Sequence, residues 1–308
     1  MNSRFFTLAA SSDDINLSVA AFEPDRIEEA KGIFQIVHGM VEHKERYYDF
    51  IEWLVDKGYI CVIHDHRGHG ASVNGNIELG YMGEGGWKAM VEDVKIAGDW
   101  ARKTYGPLEF TLFGHSMGSM VVRSYLKRYD DTIDRLFVCG TPANNAAKGV
   151  GKVLAWTLGT FGGWHSRPQL LQDISFKNYN RGFEKEAEKY SKAWSCSDPK
   201  VQEEMHNDPL CTFRFTANGF YNLYSVMADC YSPKGWKLSN TGIRIHFISG
   251  NQDPCRKSDG DFHKAVEFLR SRGYDNVSAK LYPGLRHQLI NEKGREGIWN
   301  DILGVMSE

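Results

Sequence analysis

Residues 108–122 read LEFTLFGHSMGSMVV. A short apolar run ends in Gly114-His115-Ser116-Met117-Gly118, and apolar residues at helical spacing follow at once. A strand that turns straight into a helix within five residues leaves so little room that glycine is needed on both sides of the turn, at Gly114 and Gly118. The residue at its apex, Ser116, then carries its hydroxyl above the edge of a sheet. The pentapeptide alone is a weak signal, because glycine-rich turns recur by chance; the strand before it and the helix after it give it weight.

Working outward, the same grammar repeats. GIFQIVH (32–38) and YICVIHD (59–65) are continuous apolar runs of strand length, and RLFVCG (135–140), IRIHFISG (243–250) and VSAKLYP (277–283) are others. Helical patterns separate them. In 87–106 the residues Trp87, Met90, Val91, Val94, Ala97, Trp100 and Ala101 share one stripe, closed by Gly106. Strands buried on both faces and alternating with helices predict an α/β fold with a mostly parallel sheet covered on both sides. The opening segments FFTLAA and INLSVAAF, joined by the turn-prone SSDD, predict an antiparallel hairpin in front of it.

The alternation lapses between Ala143 and Trp236, a segment dense in aromatic residues. We expect one domain in three parts: a core over 1–142, a helical cap over 143–236 and the rest of the core over 237–308. Two independent domains would each need a complete core.

Composition narrows the function. Lys+Arg 37 against Asp+Glu 39 gives a formal charge of −2, which offers no draw toward nucleic acid. No apolar stretch reaches bilayer length and the amino terminus lacks a signal-peptide core, so a cytoplasmic protein is expected. The six cysteines form no C-x-x-C pair and read as reduced thiols. Outward-facing apolar residues of the cap leave room for brief contact with a lipid surface, and nothing in the chain fixes an oligomeric state.

A serine hydroxyl needs a base, and the base an orienting acid. For a nucleophile on this kind of turn the partners follow in the order serine, acid, histidine. After Ser116, the strand ending at Gly250 runs into Asn251-Gln252-Asp253, and the strand ending near Pro283 runs into Gly284-Leu285-Arg286-His287. Asp253 and His287 therefore complete the candidate triad. Asp259 and Asp261 fall at a helix start, where capping or dipole roles are expected. The oxyanion formed in acyl transfer needs donors, and the backbone N–H groups of Met117 and Met40 are the candidates. Gly39 lets the chain turn closely there, and His38 and His115 are expected to support the site. Cys255, two residues past Asp253, is expected near the pocket mouth as an inert thiol.

One competing reading needs a decision. His64-x-His66-x-x-His69 has spacing reminiscent of zinc-dependent hydrolases, and imidazole is a good zinc ligand. Gly68 stands where an Asp would be wanted, and the fixed charge of Arg67 opposes a divalent cation. We therefore expect no metal and no cofactor. Asp65-His66-Arg67-Gly68-His69-Gly70 should instead form a tight loop, with Gly68 and Gly70 turning the chain and Asp65 and Arg67 bonded to neighbouring backbone.

Taken together, HGMVEHKERY (38–47), DHRGHG (65–70), GHSMG (114–118), GNQD (250–253) and His287 resemble the α/β-hydrolase superfamily, and within it the monoacylglycerol lipase and lysophospholipase-like branch. The HG-x-x-EH-x-x-RY stretch is the most specific of these, since many hydrolases of the fold lack it. The resemblance implies an eight-stranded, mostly parallel sheet with a helical cap. It also implies hydrolysis of a small-molecule acyl ester, commonly one acyl chain on glycerol or glycerophospholipid. The same triad serves thioesterases, peptidases and C–C hydrolases, and some relatives of the fold only bind ligands. Epoxide hydrolases and dehalogenases place Asp at the nucleophile position, which Ser116 does not match.

Overall fold

The computed structural model of the chain describes residues 1–75, 77–144 and 148–307. Residues 145–147, which belong to the expected cap, lie outside them. Among the described residues one sheet contains β1 (Asn2–Ala9), β2 (Asn16–Glu23), β3 (Gly32–Val37), β4 (Tyr59–His64), β5 (Phe110–His115), β6 (Arg135–Cys139), β7 (Arg244–Gly250) and β8 (Val277–Tyr282), in the order β1-β2-β4-β3-β5-β6-β7-β8. β1 and β2 form the expected hairpin, with Asn2 opposite Glu23 and Ala9 opposite Asn16. β2 also runs antiparallel to β4, and every pairing from β4 to β8 is parallel.

β3, β4, β5 and β6 are buried throughout, which is why they read as unbroken apolar runs. Successive side chains leave a strand on opposite faces, so each strand feeds two cores. Ile33 and Val37 join the core under α2 (Gly86–Tyr105), α3 (Met117–Tyr129) and α9 (Asp259–Arg270). Phe34 and Ile36 join the core under α1 (Tyr48–Asp56) and α10 (Arg295–Met306). Each fully buried Phe or Ile contributes about 1.5–3 kcal/mol of transfer free energy.

The stripe read from 87–106 is the packed face of α2. Met90, Val91, Val94, Ala97 and Ala101 are buried, and Trp87 and Trp100 flank them half-buried. The Trp100 ring lies 4.3 Å from Phe6 of the hairpin, so the same helix anchors the antiparallel edge.

Between β6 and β7 the described residues hold helices and no strand: α4 (Lys148–Gly162), α5 (Gln169–Phe176), α6 (Glu184–Ala187), α7 (Pro199–Asn207) and α8 (Ala217–Cys230). α4 lies close along α8 because glycine faces the contact: a Cβ at Gly151 would stand 2.6 Å from the Tyr224 ring. The insertion rises from the carboxyl ends of the strands, the edge at which open α/β sheets bind ligands.

Candidate active site

The turn at Ser116 is as tight as its glycines imply. Ser116 has φ 55 and ψ −116, a backbone conformation that costs a non-glycine residue about 1–3 kcal/mol. A Cβ at Gly118 would fall 2.1 Å from the carbonyl of Val37, and one at Gly114 would fall 2.5 Å from Val122 Cγ2. Both positions admit only glycine. The strained residue is held from both sides: its N–H donates to Cys139 O at 2.9 Å, and its carbonyl accepts from Ser119 Oγ.

β7 and β8 deliver the other two residues to the same edge. Asp253 lies just beyond β7, with Oδ1 accepting from the Cys255 N–H at 2.8 Å and Oδ2 from Ser249 Oγ at 3.1 Å. His287 Nδ1 stands 2.8 Å from Asp253 Oδ2. With the Nδ1–H donating a hydrogen bond to that carboxylate, Nε2 is left as the basic nitrogen. The imidazole is packed between the rings of His115 at 4.8 Å and Trp194 at 5.0 Å, both centroid to centroid. Ser116 and His287 line one cavity of about 260 Å³, and Met40, Met117, His115 and Cys255 line it too.

The loop after β3 closes against the elbow. A Cβ on Gly39 would sit 3.0 Å from Ser116 Cβ and 2.5 Å from Glu42 Oε1, so the absence of a side chain lets this loop reach the serine. Glu42 holds the loop's shape: Oε1 accepts from the Gly39 N–H, from Tyr47 OH at 2.8 Å, and faces His115 Nδ1 at 3.0 Å. Burial alone would raise the Glu42 carboxyl, but His115 above all, with His38 and Arg46, keeps it well below the usual carboxylate range. Sequence reasoning quoted Glu42 only as part of a motif; its signal was a carboxylate three residues past the glycine of the loop after β3. His38 is fully buried and accepts the His66 N–H on Nε2 at 2.9 Å, tying the loop after β3 to the loop after β4.

That second loop needs one correction. Gly68 and Gly70 do turn the chain with positive φ, and Asp65 does accept from the N–H groups of Lys44 and Ala71. Arg67, however, is bonded mainly to carboxylates, with Nε to Asp93 at 2.8 Å and Nη1 to Asp13. A fully buried guanidinium has five donors to satisfy, and two acids answer it better than a single carbonyl. His64, His66 and His69 are fully buried and stack edge-on in sequence, 5.3 and 6.1 Å apart. Burial lowers all three, His69 to about 3.

Among the described residues, two groups, neither of them the three histidines, place metal-ligand atoms within 4.8 Å of one another. In Asp253–Cys255–His287 the carboxylate already engages Nδ1, Nε2 lies 3.9 Å from Cys255 Sγ, and burial pushes that thiol well above its usual value. In His43–Asp208–Cys211 burial pulls the imidazole down, but Cys211, Glu45 and Asp208 outweigh it and raise His43 to about 10. A charged imidazolium between two carboxylates, at 2.6 and 2.7 Å, is complete without an ion.

The expected helix-start role for Asp259 and Asp261 is met in part. Both lie in the first turn of α9, but the cap is Ser258, whose Oγ accepts the Asp261 N–H at 3.1 Å. In the insertion, sequence reasoning missed Lys192 and Glu186 and saw Trp194 and Tyr179 only as part of its aromatic density. Trp194, Lys192 and Tyr179 line the cavity, and Glu186 pairs with Arg286, the neighbour of His287, through contacts of 2.6 and 2.8 Å.

Comparison with known proteins bears on this arrangement. The family described as "Serine aminopeptidase, S33" matches residues 28–294. The chain belongs to that family. As an S33 α/β-hydrolase of the serine-hydrolase type, it is 25% identical over 272 residues to a monoacylglycerol lipase of Mycolicibacterium smegmatis, covering 88% of this chain and 86% of the relative. A carboxyl esterase of Bacillus coagulans, solved with glycerol, superposes with a TM-score of 0.86 at 26% identity over 99% of both chains. A monoglyceride lipase of Saccharomyces cerevisiae shares the fold at a TM-score of 0.72 and 16% identity, over 100% of this chain and 95% of that one. Among the described residues no helix of this S33 member is long and apolar enough to cross a membrane.

Proposed function

We propose that this protein hydrolyses carboxylic esters of the monoacylglycerol or lysophospholipid type through an acyl-enzyme on Ser116. The observation that carries the reading is the meeting of three chain-distant residues at one sheet edge: Ser116 on a strained elbow, and His287 facing the same cavity with Nδ1 2.8 Å from Asp253. Ser116 Oγ attacks the acyl carbonyl as His287 Nε2 takes its proton. The N–H groups of Met40 and Met117 receive the oxyanion, and His287 returns the proton to the departing alcohol. A water deprotonated by His287 then attacks the acyl carbon, and collapse of the second tetrahedral intermediate frees the carboxylic acid and Ser116.

The helical insertion over 143–236 acts as a cap in this reading. Its supports are the apolar residues Ile174, Phe176, Leu223 and Met227, which line the cavity above Ser116 and suit an acyl chain. Val150, Val153, Trp156 and Phe161 are exposed on α4, which supports brief contact with a lipid surface. All six cysteines are free, which supports a cytoplasmic setting.

The family description names an aminopeptidase, and that reading makes a different demand on the cavity. A substrate ammonium needs a carboxylate to meet it. Among the described residues Glu42 is the one carboxylate lining the cavity, and it is already held by Gly39, Tyr47 and His115. The ester reading fits the chemistry of the walls better.

A fluorophosphonate probe tests the mechanism. Labelling is expected in the native chain and lost in Ser116→Ala, together with turnover of a short p-nitrophenyl ester, while circular dichroism stays unchanged. Turnover that survives in Ser116→Ala would overturn the acyl-enzyme.

A further inference from the structure

The residues lining the cavity include two groups of opposite chemistry, called its two walls below. Ile174, Phe176, Leu223, Tyr224 and Met227, from α5 and α8, make one apolar. Ser191, Lys192, Ser195, Thr212 and Gln288 make the other polar. A neutral acyl glycerol would use the first wall fully, yet leaves the second with a cation to answer.

That cation is the ammonium of Lys192. It donates to Cys211 O at 2.7 Å and to Val41 O at 3.3 Å. An ammonium has three N–H donors, so one remains beyond these two carbonyls. Among the described residues no carboxylate forms an ion pair with it. Glu42, the carboxylate on the same cavity, is taken up by Gly39, Tyr47 and His115, with Arg46 Nε at 3.8 Å from its other oxygen. A cation held by neutral carbonyls in a cavity wall is poorly compensated, and an anion placed beside it is stabilised accordingly. The protonation balance agrees: burial lowers Lys192 to about 8, with Arg46 adding to the fall and Cys211, Glu42 and Asp208 opposing it.

Position completes the argument. Val41 directly follows Met40, whose N–H is the proposed oxyanion donor, so the ammonium stands one residue along the chain from the reacting carbonyl's cradle. A charge carried a few bonds from the scissile ester can reach it.

We infer that Lys192 is a specificity-determining residue that receives an anionic group, phosphate or carboxylate, carried by the alcohol portion of the ester, while the apolar wall receives the acyl chain. This inference rests on the ester-hydrolase reading above and narrows its substrate class. Lys192 touches the substrate's charge and takes no part in bond making.

The test compares three octanoyl esters at concentrations where all are monomeric: monooctanoylglycerol, its phosphomonoester, and O-octanoyl-lactate. The native protein is expected to favour at least one anionic ester over the neutral one by about tenfold or more in kcat/KM, the size of one hydrogen bond to a charged group. Which of the two anions is favoured identifies the source of the charge. In Lys192→Met the anionic-to-neutral ratio should fall to about one, and Lys192→Arg should restore much of it. Equal or better use of the neutral ester by the native protein, or an unchanged ratio in Lys192→Met, would overturn the inference while leaving the ester mechanism standing. Calorimetric binding of the phosphomonoester and the neutral ester to Ser116→Ala reads the same preference without turnover. With O-octanoyl-lactate titrated alongside them, tighter binding of either anionic ester that Lys192→Met abolishes supports the inference even if no ester proves to be cleaved, and binding of both anionic esters no tighter than the neutral one refutes it.

Discussion

Glu42 and His115 meet across the site, Oε1 to Nδ1 at 3.0 Å, joining the loop after β3 to the residue just before the serine. The contact couples the proposed oxyanion loop to the nucleophile's turn through a buried charge. Glu42→Ala leaves the Gly39 N–H and the Tyr47 hydroxyl without their acceptor and His115 Nδ1 without its partner. Breaking one side of a buried charged network typically costs about 3–5 kcal/mol, so the variant should unfold at clearly lower denaturant. Glu42→Gln keeps an acceptor oxygen and the shape. It should fold nearly as well yet lose kcat more than it raises KM, since the oxyanion matters only in the transition state. Equal kcat in the native protein and Glu42→Gln, measured on a p-nitrophenyl ester, would remove Glu42 from the site's positioning.

Ser116 itself offers a stability test of opposite sign. Its φ of 55 is a strain that only a glycine escapes. Ser116→Gly should abolish turnover and raise stability by about 1 kcal/mol, the relief of strain outweighing the entropy lost by glycine. Gly118→Ala runs the other way, because its Cβ meets the Val37 carbonyl at 2.1 Å. It should be destabilised by about 3 kcal/mol or more. Urea midpoints of the two variants check both signs.

The buried histidines set an acid limit. Burial, with neighbouring imidazoles adding to it, lowers His38 to about 4 and His69 to about 3, and carries His66 well below its ordinary value. Between pH 6.5 and these values the unfolded chain binds protons that the folded one refuses. Stability is therefore full above about pH 6.5 and falls as pH drops toward 4. His43, raised to about 10, acts at the other end: its contribution is present below pH 6.5 and fades as pH climbs toward 10. Melting temperatures from pH 7 to pH 4.5 should fall steadily, and His69→Leu, packed between Phe213 and Phe215, should make the fall shallower. A flat profile in the native chain would contradict the neutral cluster.

How far the sequence could be read follows from where each signal lives. β3 to β6 were legible because both faces are buried and no polar residue interrupts the pattern for long. Ser116, Asp253 and His287 could be placed at the same sheet edge because each follows a strand end, after β5, β7 and β8; their roles belong to the proposed mechanism. Arg67 was misassigned because its partners, Asp13 and Asp93, lie 54 and 26 residues away and nothing local points to them. Lys192 was invisible for the same reason, and Trp194 was legible only as one of many aromatics in the insertion. They come from a helical insertion whose apolar spacing says that it packs, not which side chains turn toward the serine.

Arg286 illustrates that last point and carries a prediction of unequal effects. It sits next to His287, forks onto both oxygens of Glu186 in α6, and donates to the carbonyls of Ala193 and Cys196 at 2.7 and 3.0 Å. The Phe183 ring lies 4.0 Å from its guanidinium carbon. Glu186 is nearly half exposed, so its ion pair is screened and is worth only about 0.2–1 kcal/mol. The arginine is buried, and removing it strands two enclosed carbonyls as well as the ring contact, a loss of roughly 2–4 kcal/mol. Arg286→Met should therefore destabilise the chain far more than Glu186→Gln. It should also lower kcat, because the loop that aims His287 loses its tie to the segment bearing Trp194. Arg286→Lys cannot fork and should recover only part of either loss. Similar urea midpoints for Arg286→Met and Glu186→Gln would mean that the ion pair, rather than the buried carbonyls, holds the histidine's loop in place.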